Sequence, residues 1–129
     1  MNDVIICVDD EKEILEILQR QLMIMFGQDF EYEFAESGEE ALELIEEIET
    51  TSDTKVKLVI SDWSMPGLKG DELIMKLREL RPEIKTLLLT GQAPEDVMKK
   101  VCEKGSGNCM LKPWDQDSLK GRIELLMAS

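Results

Sequence analysis

Short apolar runs alternate with segments of helical period along the chain, and this alternation limits the fold more than any other feature of the sequence. Four runs favour strands: Val4 to Val8, Val56 to Ile60, Ile84 to Leu89 and Cys109 to Leu111. The first three are rich in Val, Ile and Leu without clean alternation, as is typical of strands buried on both faces of a parallel sheet. A fifth run, Phe30 to Phe34, alternates aromatic and acidic residues and predicts a strand with one exposed face near the sheet edge.

Between these runs, apolar residues recur at the three- and four-residue intervals of a helix. They are Ile14, Leu18, Leu22, Ala41, Leu44, Ile45, Ile48, Leu73, Leu77, Leu80, Val97, Val101, Leu119, Ile123 and Leu126. Ser37 to Glu40 resembles a capping box at a helix start. Arg81-Pro82 marks a helix end, because proline disfavours helical geometry in the residue before it. Glu49 to Lys55 predicts an extended polar loop.

Strand and helix therefore alternate five times within what we predict to be a single domain, residues 1–129. Strict alternation of this kind implies a parallel sheet with helices on both faces, joined by right-handed crossovers. The predicted fold class is doubly wound α/β.

Composition removes several classes of function. Lys and Arg number 15 against 28 Asp and Glu, a net charge of −13, and such a field repels the phosphate backbone that supplies most non-specific nucleic-acid affinity. We therefore expect no direct nucleic-acid binding. The chain has no histidine, so Ser/His/Asp triads and histidine-based metal sites cannot be built from it alone. Any phosphohistidine in its chemistry must come from another protein.

The cysteines and the N-terminus predict a cytoplasmic protein. Cys7, Cys102 and Cys109 are odd in number and lack a CxxC spacing, which suits a reducing compartment, and we interpret them as small apolar residues. The chain starts without a basic segment, and its apolar runs are far shorter than the ~20 residues needed to cross a bilayer. We expect neither a membrane segment nor a disulfide framework.

Polar residues follow four of the predicted strands at the point where each strand ends. Asp9-Asp10-Glu11 follows the first strand, Asp62 the third, Thr90-Gly91 the fourth and Lys112-Pro113 the fifth. In open α/β sheets, ligands bind outside the carboxyl ends of the strands, where the strand order reverses. We therefore expect these residues to lie on one rim.

Three carboxylates on that rim repel one another, each pair by ~4 kcal/mol if ~4 Å apart at an effective dielectric near ~20. A divalent cation with oxygen ligands removes the conflict, and Mg²⁺ fits better than Ca²⁺ because it needs only one or two carboxylates plus a phosphate. With the acids held in this way, a carboxylate can act as nucleophile toward phosphorus. Asp62 is the candidate nucleophile, with Lys112, Mg²⁺ and the Thr90 hydroxyl around the phosphoryl oxygens.

These pieces together resemble a known family. The residues are DD at 9 and 10, DWSMPGLKG from 62 to 70, TG at 90 and 91, and KPW from 112 to 114. In this order and spacing they are similar to the receiver domain of two-component response regulators, over essentially the whole chain. The resemblance implies a flavodoxin-like (βα)5 fold with strand order 2-1-3-4-5.

The resemblance also implies a role for each acid in a Mg²⁺ site. Asp62 is then the phosphoacceptor and a metal ligand, and Asp10 is a direct ligand. Asp9 is a ligand through water, and the Ser64 backbone carbonyl is the third protein ligand.

Three further positions acquire roles by the same resemblance. Lys112 would pair with the acid pocket and the phosphoryl group, and the Lys112-Pro113 bond would be cis. Thr90 would turn inward to hydrogen-bond the phosphoryl oxygen, and Gly91 would leave room for that group. The sequence departs from the family where Tyr or Phe usually stands, because Cys109 lacks the bulk of a ring that moves inward. Met110 or Trp114 could compensate.

The function implied is a phosphorylation-activated switch rather than an enzyme with an independent substrate. Its partners would be a sensor histidine kinase or histidine phosphotransfer protein, and a downstream effector or fused output domain. A homodimer through the surface formed by the fourth helix, fifth strand and fifth helix of the family fold is a further hypothesis.

Simpler interpretations and rival functions remain open. Asp9 and Asp10 could merely cap the first helix, and Thr90 and Lys112 could be an ordinary strand end and a solvated charge. A haloacid-dehalogenase-type phosphatase also uses an aspartyl nucleophile, but it needs an acid where Ser64 stands. A flavodoxin-like flavin carrier needs a phosphate loop that Asp9-Asp10-Glu11 would repel. A receiver-like scaffold that is never phosphorylated is the third rival.

Overall fold

Strands and helices alternate along the chain in the computed structural model, which describes residues 2–51, 53–91, 96 and 109–128. The elements are β1 (Val4–Val8), α1 (Lys12–Phe26), a 3₁₀ turn (Gly27–Asp29), β2 (Glu31–Ala35), α2 (Gly38–Thr51), β3 (Val56–Asp62), α3 (Gly70–Leu80), β4 (Lys85–Thr90), β5 (Cys109–Leu111) and the C-terminal helix α4 (Gln116–Ala128). The helix predicted around Val97 and Val101 lies outside the described residues.

The five strands form one parallel sheet in the order β2-β1-β3-β4-β5. Helices α2 and α3 pack with the even-numbered residues of β1 on one face. Helices α1 and α4 pack with Ile5 and Cys7 on the other face. The doubly wound α/β fold and the strand order are therefore confirmed.

Burial follows the hydrophobic pattern of the sequence. All five residues of β1 are buried, as are the last five of β4, while β2 alternates exposed and half-buried positions before Ala35. The central strands thus have helices on both faces, whereas β2 is an edge strand.

The end of α3 confirms the proline prediction. The helix stops at Leu80, and the Arg81 N–H donates to the Leu77 carbonyl in its last turn.

One local prediction was wrong. The polar stretch from Glu49, predicted to be an extended loop, is helical as far as Thr51. The hydroxyls of Thr50 and Thr51 donate to the carbonyls of Glu46 and Glu47 one turn earlier. Threonine hydroxyls form such local bonds inside helices as well as in turns, so these residues do not by themselves predict a loop.

The cysteines also differ from expectation. Cys7 is free and fully buried in β1, and burial raises the pKa of its thiol. Cys109 is disulfide-bonded, so its interpretation as a simple apolar thiol was wrong. Sequence spacing does not report which sulfurs the fold brings into bonding geometry.

Candidate metal and phosphoryl site

Three acids meet at the carboxyl edge of the sheet. Asp9, Asp10 and Asp62 each offer a carboxylate oxygen, and these atoms lie within 4.8 Å of one another. The register explains the meeting, because Val8 of β1 pairs with Ser61 of β3 and the next residues along these strands are Asp9 and Asp62. Asp9 and Asp62 are buried and Asp10 is exposed. The predicted gathering of these three carboxylates is what the structure shows.

Lys112 enters the pocket from the end of β5. Its Nζ lies 2.8 Å from Asp62 Oδ1 and 3.4 Å from Asp9 Oδ2. The backbone fixes its position, because the Lys112 N–H donates to the Thr90 carbonyl at 2.9 Å. Burial alone would lower the pKa of Lys112, but the hydrogen bond to Asp62 and the charges of Asp9 and Asp62 outweigh it and raise the pKa. Lys112 therefore stays a cation between two acids.

The fold disfavours the charged form of Asp9. It is 1% exposed, and burial together with the charge of Asp62 raises its pKa from 3.8 to about 6. The Glu11 N–H donates to Asp9 Oδ1 at 2.8 Å, and this bond and Lys112 oppose the rise only in part. A cation bound beside Asp9 would favour its ionised form.

This shift predicts a pH dependence of stability in the absence of divalent metal. The pKa of Asp9 is higher in the folded chain than in the unfolded chain, so its contribution is largest below the unfolded pKa and is lost as pH rises through about 6. We expect the parent to lose stability relative to Asp9→Asn as the pH is raised from about 4 to about 7. Urea unfolding of both proteins in EDTA across this range measures the difference. A difference that is the same at every pH would contradict the raised pKa.

The remaining predicted residues lie at or just after the carboxyl ends of β3, β4 and β5. Thr90 ends β4 and is 1% exposed, and exposed Gly91 follows it. A Cβ on Gly91 would meet nothing within 4 Å, consistent with the open space expected there. Ser64 is exposed in the loop between β3 and α3. The Lys112-Pro113 peptide bond is cis, as the resemblance implied.

Helix capping alone does not explain the positions of Asp9 and Asp10. The N-cap residue of α1 is Glu11, so Asp9 and Asp10 both precede the cap. The Asp9 carboxylate bonds the Glu11 N–H with one oxygen and faces Lys112 with the other. Asp9 therefore faces the pocket shared with Lys112 and Asp62.

Met110 and Trp114, which could compensate for the missing aromatic ring at position 109, have different neighbours from Cys109. Cys109 packs with Trp63 against Ile74 and Leu88. Met110 and Trp114 instead pack in the cluster with α1 and α4. The Trp114 indole N–H also donates to Gln21 Oε1 of α1 at 2.7 Å.

Sequence reasoning missed two residues that shape the loop after Asp62. Gly70 starts α3 so close to β3 that a Cβ there would lie 2.1 Å from the Asp62 carbonyl oxygen. Asp71 is buried and accepts the Trp63 indole N–H at 3.0 Å. Its position in the first turn of a helix, where acids are common, gave no signal of this contact.

A parallel doubly wound sheet with a lysine and three acids at its carboxyl edge defines a receiver-type signalling domain. The family model for the response regulator receiver domain matches residues 5–124, and the chain belongs to this family. Receiver domains bind Mg²⁺ at an acidic pocket and interact with histidine kinases and output domains. Among the described residues, every helix is too short or too polar to span a bilayer.

Individual relatives support the assignment. The chain is 32% identical over 116 residues to the hydrogenase transcriptional regulatory protein HoxA of Cupriavidus necator, covering 89% of this chain and 22% of HoxA. It is 26% identical to the chemotaxis protein CheY1 of Helicobacter pylori, covering 97% of each chain. The crystal structure of a CheY-like receiver domain protein from Methanospirillum hungatei is similar with a TM-score of 0.82 and 26% identity, over 99% of this chain and 95% of that one.

Proposed function

We propose that the chain is a single receiver domain, residues 1–129, that accepts a phosphoryl group on Asp62 in a Mg²⁺-dependent reaction and thereby changes its binding to partners. The observation that carries this proposal is the pocket itself. Acids from two strand ends place ligand oxygens within 4.8 Å of one another, and Lys112 lies 2.8 Å from the proposed nucleophile.

The acids fit Mg²⁺ by their chemistry, because the cluster offers only oxygen ligands and carries more negative charge than one lysine offsets. Asp10, Asp62 and the Ser64 backbone carbonyl would hold the ion, with Asp9 acting through water. Bound Mg²⁺ would supply positive charge next to the phosphoryl oxygens.

The transfer itself needs few groups from the protein. A carboxylate oxygen of Asp62 attacks phosphorus, and a P–O bond forms as the P–N bond to the partner's phosphohistidine breaks. The leaving imidazole nitrogen keeps the bonding electrons as its lone pair, and the other ring nitrogen carries a proton, so that neutral histidine is released. Lys112 neutralises charge on the phosphoryl oxygens, and the Thr90 hydroxyl donates a hydrogen bond to one of them. Water later attacks the same phosphorus, which releases phosphate and restores the Asp62 carboxylate.

The donor must be another protein or a small acyl phosphate, because this chain has no histidine. A sensor histidine kinase or a histidine phosphotransfer protein in the cytoplasm is the proposed donor. The effector would be a separate protein or a fused output domain, and the net charge of −13 argues against direct nucleic-acid binding. The phosphoryl group would favour an active conformer already sampled by the free chain.

Rival functions receive less support from the pocket. Ser64 stands where a haloacid-dehalogenase-type phosphatase needs its second acid, so we propose no enzyme activity beyond self-phosphorylation and self-dephosphorylation. A flavin phosphate would meet Asp9 and Asp10. A scaffold that is never phosphorylated would not need Lys112 between two buried acids.

Acetyl phosphate provides the direct test. Incubation of the purified chain with acetyl phosphate and Mg²⁺ should add the mass of one phosphoryl group, because Asp62 is one nucleophile in one pocket. Hydroxylamine should remove the added mass, as it does from an acyl phosphate, and EDTA should prevent its addition. Intact-mass spectrometry measures all three outcomes, and digestion after reductive trapping should locate the label at residue 62. A label at another residue, or one that forms equally in EDTA, would refute the proposal.

A further inference from the structure

Asp71 is a buried acid that the proposed phosphoryl transfer does not use. It lies in the first turn of α3, is 8% exposed, and accepts the Trp63 indole N–H on Oδ1 at 3.0 Å. A buried carboxylate is costly unless hydrogen bonds compensate it. The N-terminus of α3 favours the negative charge of an acid in its first turn, and the Trp63 indole adds a hydrogen bond from outside the helix. Asp71 thus connects α3 to the residue that follows Asp62.

Trp63 is held from several directions. The Trp63 backbone N–H donates to the Leu89 carbonyl of β4 at 3.1 Å. The Trp63 backbone carbonyl accepts the Gly70 N–H at 3.0 Å. The Lys69 ammonium lies 5.2 Å from the centroid of its ring, within the range of a cation–π contact. The bond to Asp71 adds a buried anchor for the indole.

These contacts close the loop between β3 and α3 into a ring. The backbone bond from Gly70 to Trp63 joins its two ends, and the Asp71–Trp63 bond crosses the same gap through side chains. Ser64 directly follows Trp63 in this ring. A loop fixed in advance loses less conformational entropy when a ligand binds to it.

We propose that Asp71 is a positioning residue for the Mg²⁺ pocket. Through the Trp63 indole it holds the loop in the conformation that directs the Ser64 backbone carbonyl toward the acids. The inference rests on the proposed function, because it assumes that this carbonyl is a metal ligand. Residues that orient metal ligands typically affect metal affinity by roughly 10- to 100-fold.

Four variants of the full chain separate this role from a general effect on folding or charge. Asp71→Leu removes the acceptor, and Trp63→Phe removes the donor while keeping an aromatic ring. Asp71→Asn removes the charge and keeps an acceptor oxygen. The double variant Asp71→Leu/Trp63→Phe tests whether the two side chains act as a pair. Calorimetric titration with Mg²⁺ alone measures affinity, and urea unfolding measures stability.

We expect Asp71→Leu and Trp63→Phe each to weaken Mg²⁺ binding by roughly tenfold. Asp71→Asn should bind almost as tightly as the parent, and the double variant should be no weaker than either single variant. Parent-like binding by Asp71→Leu, or equal losses in Asp71→Asn and Asp71→Leu, would overturn the inference. If Asp71→Leu does not fold, the affinity of Trp63→Phe for Mg²⁺ becomes the deciding measurement. Parent-like Mg²⁺ binding by Trp63→Phe would also overturn the inference. A parent that binds no Mg²⁺ would instead overturn the proposed function, and this inference with it.

Discussion

Asp62→Asn should abolish phosphoryl uptake from acetyl phosphate, the largest functional effect expected of any single substitution in the chain. Asparagine keeps the shape of the side chain, but its amide lacks the carboxylate oxygen that attacks phosphorus. Asp9 does not replace it, because it is 1% exposed and accepts the Glu11 N–H with one oxygen. Intact-mass spectrometry after treatment with acetyl phosphate and Mg²⁺ measures the loss.

Asp3→Asn is the matched control for this experiment. The same chemical change occurs just before β1, at the opposite end of the strand from Asp9. Asp3 contacts only the exposed Lys57 ammonium, at 4.0 Å, and the Lys55 N–H among the side-chain contacts described. The control should therefore gain one phosphoryl group as the parent does. A hydroxylamine-labile label on Asp62→Asn would show that another residue is the acceptor.

Gly70→Ala should cause the largest loss of stability among substitutions of the glycines that the structure describes. The added Cβ would lie 2.1 Å from the Asp62 carbonyl oxygen and 2.9 Å from Leu88 Cδ1. The first of these atoms belongs to the backbone of a central strand, so α3 or β3 must move. We expect a loss of about 3 kcal/mol or more in the free energy of unfolding, measured by urea denaturation.

Gly121→Ala makes the same chemical change where space is open. Gly121 lies within α4, and a Cβ there would meet nothing within 4 Å. Alanine should stabilise this helix by roughly 0.5–1 kcal/mol. Equal stabilities of the two variants would contradict the close approach of α3 to β3.

Because Gly70 lies against the Asp62 backbone, Gly70→Ala should also weaken phosphoryl uptake.

The sequence predicted the sheet because its strands are short, apolar and separated by helical periods. Once the strands are parallel, the residues after each carboxyl end must share one edge, so Asp9, Asp62 and Lys112 could be grouped without coordinates. The strand order, the cis bond before Pro113 and the metal role of Ser64 came only from the family resemblance. The first two are confirmed by the structure, and the third stays a prediction.

What escaped prediction depends on side-chain direction rather than on pattern. Asp71 looks like any acid in a first helical turn, and only the fold shows that it meets Trp63. Thr50 and Thr51 lie in α2, and their hydroxyls bond carbonyls of the same helix, although hydroxyls form such local bonds in turns as well. The bonding of Cys109 depends on which sulfur lies nearby, and chain spacing does not encode that distance.

Lys112 and Asp9 are 103 positions apart in the chain but 3.4 Å apart in the fold. A ribosome makes the chain from its amino end, and domains generally fold as units during synthesis. The cation between Asp9 and Asp62 therefore comes from the last strand of the sheet to be synthesised. A chain truncated before residue 112 would carry all three acids and lack the lysine that pairs with two of them.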